Sequence, residues 1–165
     1  MRRIKVVSEP TDMVPILRAF DSDVKRDVFK RLIDNWCTTK AIEKDFGPEG
    51  VEALRFFEKT KLVETRWEAL PGGGTDKAFH SYYTSFHINT QCPVQDVAEI
   101  LSVAAMPQDK FQHIESEIEA LIGREETYSA RAITEKLGIP LIRLRSVLKR
   151  STKFELRGHL VTRMG

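Results

Sequence analysis

Between Asp23 and Val63 the apolar residues recur at steps of three and four, the spacing that gathers side chains on one face of a helix. Val24, Val28, Leu32 and Ile33 make the first such stripe, and Trp36 closes it. Thr38 or Thr39 then offers a hydroxyl to the free amides of a second helix, Lys40 to Phe46, whose Ala41, Ile42 and Phe46 turn inward. Gly47 ends that helix and Pro48 cannot continue it. A third helix, Glu49 to Thr60, buries Ala53, Leu54 and Phe57, after which Leu62 and Val63 open a strand.

Two extended runs follow, Leu62 to Leu70 and Ala78 to Ile88, around the tip Pro71-Gly72-Gly73-Gly74-Thr75-Asp76-Lys77. The second is rich in strand formers, among them Phe79, Tyr82, Tyr83, Thr84, Phe86 and Ile88. The three glycines belong to no phosphate loop, because no Gly-Lys-Ser/Thr follows and no strand-to-helix passage surrounds them. Helix, short helix, glycine turn, third helix and hairpin is the order of a winged helix-turn-helix. Ahead of it, Met1 to Val7 reads as an edge strand or a basic arm, and Pro10, Thr11 and Asp12 cap a helix over Met13 to Phe20.

Beyond the wing, Pro93 starts a helix in which Val94, Val97, Ile100, Leu101 and Ala104 keep helical spacing to Met106. Pro107 stops it. From Gln108 to Gly123 a further helix sets Phe111, Ile114, Ile118, Leu121 and Ile122 against Glu115, Glu117 and Glu119. Ser129 caps a short helix that ends at Gly138, the next helix spans Pro140 to Ser151, and Phe154 to Leu156 and Leu160 to Thr162 flank Arg157-Gly158-His159 as a small hairpin. The order of the first half repeats. The expected fold class is therefore mainly α with small β-hairpin wings, a tandem winged helix-turn-helix. Its expected parts are an N-terminal winged domain at 1–90, a linking helix at 91–107 and a smaller winged-helix-like domain at 108–165.

The stretch FDSDVKRDVFKRLIDNWCTTKAIEKDFGPEGVEALRFFEKTKLVETR resembles the core of ArsR-type winged-helix transcription regulators, particularly archaeal ones. The resemblance runs over about Met13 to Ile88. It implies a DNA-binding regulator whose third helix reads the duplex, and a dimer formed by the helix after the wing. Metal sensing, which the resemblance also suggests, is not expected. The paired cysteines near the second and third helices are missing, and the helix from Pro93 to Met106 offers only Asp96 and Glu99. His80, His87 and Cys92 lie close in sequence, but two histidines seven apart on one strand fall on opposite faces. Neither metal nor cofactor is therefore expected; Cys37, just after a helix, could sense oxidants if its pKa were lowered, but nothing beside it in sequence requires that.

Charge sharpens this picture through its distribution. The 165 residues are 41% hydrophobic and 30% charged, with a net charge of only +2. From Pro140 to Gly165, however, seven cations face Glu155 alone, which is +6 and leaves −4 for residues 1–139. Leu144, Val147 and Leu148 form the apolar face of that helix, so Arg143, Ser146 and Arg150 are expected on the opposite, base-reading face, with Lys149 beside them and Lys153 beyond. In the first domain Arg55 and Lys59 are the phosphate candidates on the third helix, and Arg66 and Lys77 those on the wing. Glu49 and Glu52 stand in that helix's first turn, where the resemblance leads one to expect polar or basic residues, and Phe56 is expected outside as a contact for the C-terminal module.

Two rival readings remain open on sequence alone. A protein-interaction adaptor, with a partner on the first domain or wing, suits the acidic outer face of Glu49 to Lys59; RNA binding would use Tyr82, Tyr83 or Trp67 as stacking surfaces. Enzymatic chemistry is not expected, since four histidines and scattered serines form no nucleophile motif. No run of 18 apolar residues occurs and no long apolar stretch follows MRRIKVVSEP, so a cytoplasmic protein without a membrane partner is expected, with its two cysteines reduced.

Overall fold

The computed structural model describes residues 2–165; Met1, the first residue of the expected arm or strand, lies outside the described residues. Among them, seven α-helices and three small sheets form two units, one of residues up to Val6 with Ala19–Ile88, the other of Val7–Arg18 with Asn89–Gly165. The architecture is mainly α with small sheets.

In the first unit, α2 (Asp23–Asp34) starts where the Ser22 hydroxyl accepts from the Lys25 amide at 3.2 Å. It buries Val28, Phe29 and Leu32, and Ile33 is exposed, contrary to the expected stripe. Phe29 takes the inward place, meeting Phe20 and Phe57 edge-on at 5.0 and 5.2 Å between ring centres. A two-residue strand, β2 (Cys37–Thr38), leads into α3 (Thr39–Lys59), and Thr38 is the cap, accepting from the Ala41 amide at 3.2 Å. Gly47 breaks α3 into the two expected helical halves, at φ 66° and ψ −161°. Only glycine occupies that region without strain.

Two side chains of α3 depart from expectation. Ala41 faces solvent, and Phe56 is buried in this unit's own core beneath the Lys25 ammonium, 4.8 Å from its ring centre, so it is not an outward contact. The wing is β3 (Val63–Ala69) against β4 (Thr75–Ser81), in register from Val63 opposite Ser81 to Ala69 opposite Thr75. Its sheet has the order β2-β4-β3. The long second run of the sequence is not one strand: it stops at Ser81 and resumes as β5 (Ser85–Ile88), which pairs with β1 (Ile4–Val7). His80 and His87 therefore lie on different strands.

The second unit contains a 3-10 turn (Pro10–Asp12), most of α1 (Met13–Ala19), and α4 (Val94–Ala104), followed by α5 (Gln108–Ile122). Residues 7–18 thus pack here, with Val14 against Ile100 and Ala104, and α4 is part of this unit's core instead of a separate link. Next come β6 (Thr127–Ser129), α6 (Ala130–Leu137), α7 (Leu141–Arg150), β7 (Phe154–Arg157) and β8 (Leu160–Arg163), with sheet order β6-β8-β7. Ser129 caps α6 at 3.4 Å from the Ala132 amide, and Gly138 ends it in the left-handed region. Helix, strand, helix, helix and two strands thus follow one another in both units, with the same strand order. Glu115 departs from the expected outer face of α5: it is buried, accepting from the Ser151 hydroxyl at 2.5 Å.

The junction in α3 gives a direct stability test. A Cβ on Gly47 would meet nothing within 4 Å, so Gly47→Ala should cost only its backbone strain, about 1–3 kcal/mol. A Cβ on Gly50 would lie 2.6 Å from Phe46 Cβ and 2.9 Å from Ile42 Cγ2, so Gly50→Ala should cost about 3 kcal/mol or more through overpacking. Urea denaturation should rank the two variants in that order.

Candidate nucleic-acid interface

Helix α7 starts at Pro140 and carries three consecutive turns of mixed apolar and basic residues. It packs against α6 and β7 on one side, and against α4 and the 3-10 turn on another. Leu144, Val147 and Leu148 fill the first contact, as their spacing predicts. The second contact takes the residues expected to read bases. Ser146 is fully buried with its hydroxyl donating to the Ile142 carbonyl at 2.8 Å, and Arg150 is only 5% exposed. The Arg150 guanidinium donates to the carbonyls of Val103 at 2.9 Å and Met106 at 2.7 Å and to Gln108 Oε1 at 3.1 Å, and lies 4.2 Å from the Phe111 ring centre. Neither Ser146 nor Arg150 is presented to a duplex. Arg143 is half-buried and pairs with Glu99 at 3.1 Å.

What α7 shows to solvent is a narrow stripe at four-residue steps, Leu141, Arg145 and Lys149. Arg145 is exposed with no ion pair or hydrogen bond among the described residues, and Lys149 reaches Asp12 at 2.7 Å. Arg145 escaped the sequence reading because that reading gave the helix a single buried side. A signal for the second side existed in Ile142 and Ser146, an apolar and a small residue four apart, the spacing of a close helix contact.

Around this stripe the hairpin of β7 and β8 exposes Arg157, Gly158 and His159 at its turn, with Arg157 donating to Glu155 at 2.7 Å. Lys153 stands 3.8 Å from Glu119, whose carboxyl is held below its ordinary pKa by the Arg163 hydrogen bond and then by Lys153. Lys136 of α6 donates to the Tyr128 hydroxyl at 2.6 Å. Solvent screening keeps exposed ion pairs such as Arg157–Glu155 and Lys153–Glu119 weak.

The first unit offers a different surface. The outward residues of the second half of α3 are Glu49, Glu52 and Arg55, and Arg55 is engaged by Glu52 at 2.6 Å. Lys59 is half-buried. On the wing, Lys77 pairs with Glu58, and Arg66 pairs with Glu68 at 2.5 Å while covering the Trp36 ring at 4.0 Å. Trp67, opposite Lys77, is 71% exposed. Tyr82 and Tyr83 meet edge-on, and their faces carry Arg3 at 4.4 Å and Lys5 at 5.2 Å.

A family model described as "ArsR transcriptional regulator" matches residues 7–164. The chain belongs to that family. The match reaches well past the Met13-to-Ile88 resemblance and takes in the second unit as well. No curated protein matches the chain. Membership makes this ArsR-family protein a transcription regulator, and it implies DNA as its partner.

Three further features of the regulator bear on its chemistry. Among the described residues no three His, Cys, Asp or Glu side chains gather as a metal site. No helix among them is long and apolar enough to cross a membrane. Cys37 is buried in β2, and burial raises its thiol pKa, which disfavours the reactive thiolate.

The placement of Arg150 gives a test that separates packing from binding. Arg150→Ala should lower unfolding stability by about 2–3 kcal/mol, because carbonyls at the end of α4 lose their buried donor. Thermal and urea melts measure it; an unchanged midpoint would contradict the inward placement.

Proposed function

We propose that this regulator binds duplex DNA through a tandem pair of winged helix-turn-helix units, with the second unit supplying most of the favourable electrostatics. The observation that carries the reading is the outward stripe of α7, where Arg145 and Lys149 stand on the third helix of a helix-strand-helix-helix-hairpin order. In such an order that helix is the one offered to the major groove. Arg145 is the base-reading candidate, a fork of donors matched to guanine O6 and N7. Lys149, Lys153 and Arg157 are placed as phosphate contacts, with Arg143 held back by Glu99. In the first unit Arg55, Lys59, Arg66 and Lys77 serve as weaker phosphate contacts; Arg55, Arg66 and Lys77 can leave their carboxylate partners only at the cost of leaving those carboxylates near the backbone.

The acidic outward face of α3 favours a second reading for the first unit alone, a protein contact. Glu49 and Glu52 repel phosphate and suit a basic partner surface.

Fluorescence anisotropy with a mixed pool of duplexes at two salt concentrations tests the DNA reading. Binding should weaken steeply with salt as condensed counterions are released. Arg145→Ala should weaken the preferred duplex by about 1–3 kcal/mol without moving the thermal midpoint. Equal affinity for the variant would take α7 out of the interface.

Dimerisation is proposed through α4, whose outward residues Val94, Val97 and Leu101 are exposed apolar side chains, Val94 at 83%. Small Ala98 and Ala105 lie on the same side. A two-fold assembly would then present paired half-sites. Leu101→Asp should turn a dimer into a monomer in sedimentation velocity; a persistent dimer would place the contact elsewhere.

A further inference from the structure

The first unit contains a cleft of about 510 Å³ between α2 and the chain that leaves the wing, and the proposed DNA contacts do not use it. This is within the usual range for small-molecule sites, about 300–1,000 Å³. Phe20, Phe29, Tyr83 and Phe86 provide aromatic walls, and Ile33, displaced from the core stripe, adds an aliphatic one. No carboxylate lines it.

Its polar lining combines His80, Ser81, Thr84 and Ser85 with two side chains of fixed charge, both positive. Arg26 and Lys30, one helical turn apart on α2, both line the cleft. Arg26 is fixed by donating to the Phe20 carbonyl at 2.7 Å and by its pair with Asp23. Lys30 is exposed and has no ion pair among the described residues. On the opposite wall the Ser85 hydroxyl is buried without a hydrogen-bond partner in the protein. An unmatched hydroxyl and a cation beside an aromatic cavity are complementary to an apolar body that ends in an anion.

We infer that this cleft binds a small aromatic carboxylate, its ring among Phe20, Phe29, Tyr83 and Phe86 and its carboxylate accepting from Lys30. The inference stands apart from the DNA reading and is tested without DNA. The full chain is titrated with 1-anilinonaphthalene-8-sulfonate, a fluorescent aromatic anion, and the dye is then displaced with 4-phenylbutyrate or with its neutral counterpart 4-phenylbutan-1-ol. One saturable site per chain is expected, with the carboxylate competing at least about tenfold better than the alcohol. Lys30→Gln, a surface change, should weaken the carboxylate about tenfold with an unaltered thermal midpoint. Ser85→Leu should fill the cleft and abolish displaceable binding; if that variant does not fold, Lys30→Gln alone decides. Absence of a saturable site, equal competition by the alcohol, or unchanged affinity in Lys30→Gln would each overturn the inference.

Discussion

The inward turn of Arg150 is the interaction on which the second unit's outer surface depends. Burying a guanidinium is costly unless its donors are met, and here two carbonyls from the end of α4, a glutamine oxygen and an aromatic face meet them. The same bonds serve α4, since the last carbonyls of a helix lack partners within it and carry partial negative charge. One side chain thereby joins α4, the corner at Pro107 and α7. Close by, Ser151 donates to buried Glu115 and accepts from the Phe154 amide at 3.3 Å, tying α5 to the start of the hairpin. With that side of α7 closed, only Leu141, Arg145 and Lys149 are left to face outward.

Element order was legible in the sequence because it rests on local physics. Caps at Ser129 and Thr38, breaks at Gly47 and Gly138, and a proline at the start of α7 act within a few residues of themselves. Helical spacing likewise identified most buried residues. It failed where a helix has two packed sides, because a period of 3.6 reveals that a face is apolar and does not reveal how many neighbours arrive. Phe56 and Arg150 fell to the same gap: each sits on the flank of an apolar stripe, and tertiary packing closed over it. The break after Ser81 was hidden for a different reason. Residues 78–88 are rich in strand formers throughout, and what divides them is a change of pairing partner from β3 to β1, which composition does not encode.

Of the cations and polar groups that the sequence suggests on α7, burial takes Ser146 and Arg150 out of the exposed surface. The charge count puts the excess of cations in the last 26 residues, and the family match over residues 7–164 takes in nearly all of them. Counting charges does not say which cations are already engaged. Arg143, Lys149, Lys153, Arg157 and Arg163 each stand beside a carboxylate, whereas Arg145 stands alone among the described residues.

That difference carries the electrostatic argument between the two units. An exposed pair contributes little, so a phosphate can replace the carboxylate of Asp12 or Glu155 at small expense, and neither acid belongs to α7 itself. In the first unit two of the partner acids are on α3 itself: Glu52 holds Arg55, and Glu58 holds Lys77. Replacing such a pair with phosphate leaves the anion at the interface, where it repels the backbone the cation has just joined. A shared fold order thus yields unequal surfaces. The cations of the second unit's third helix are paired with acids that lie off that helix, whereas the first unit carries acids on α3 itself.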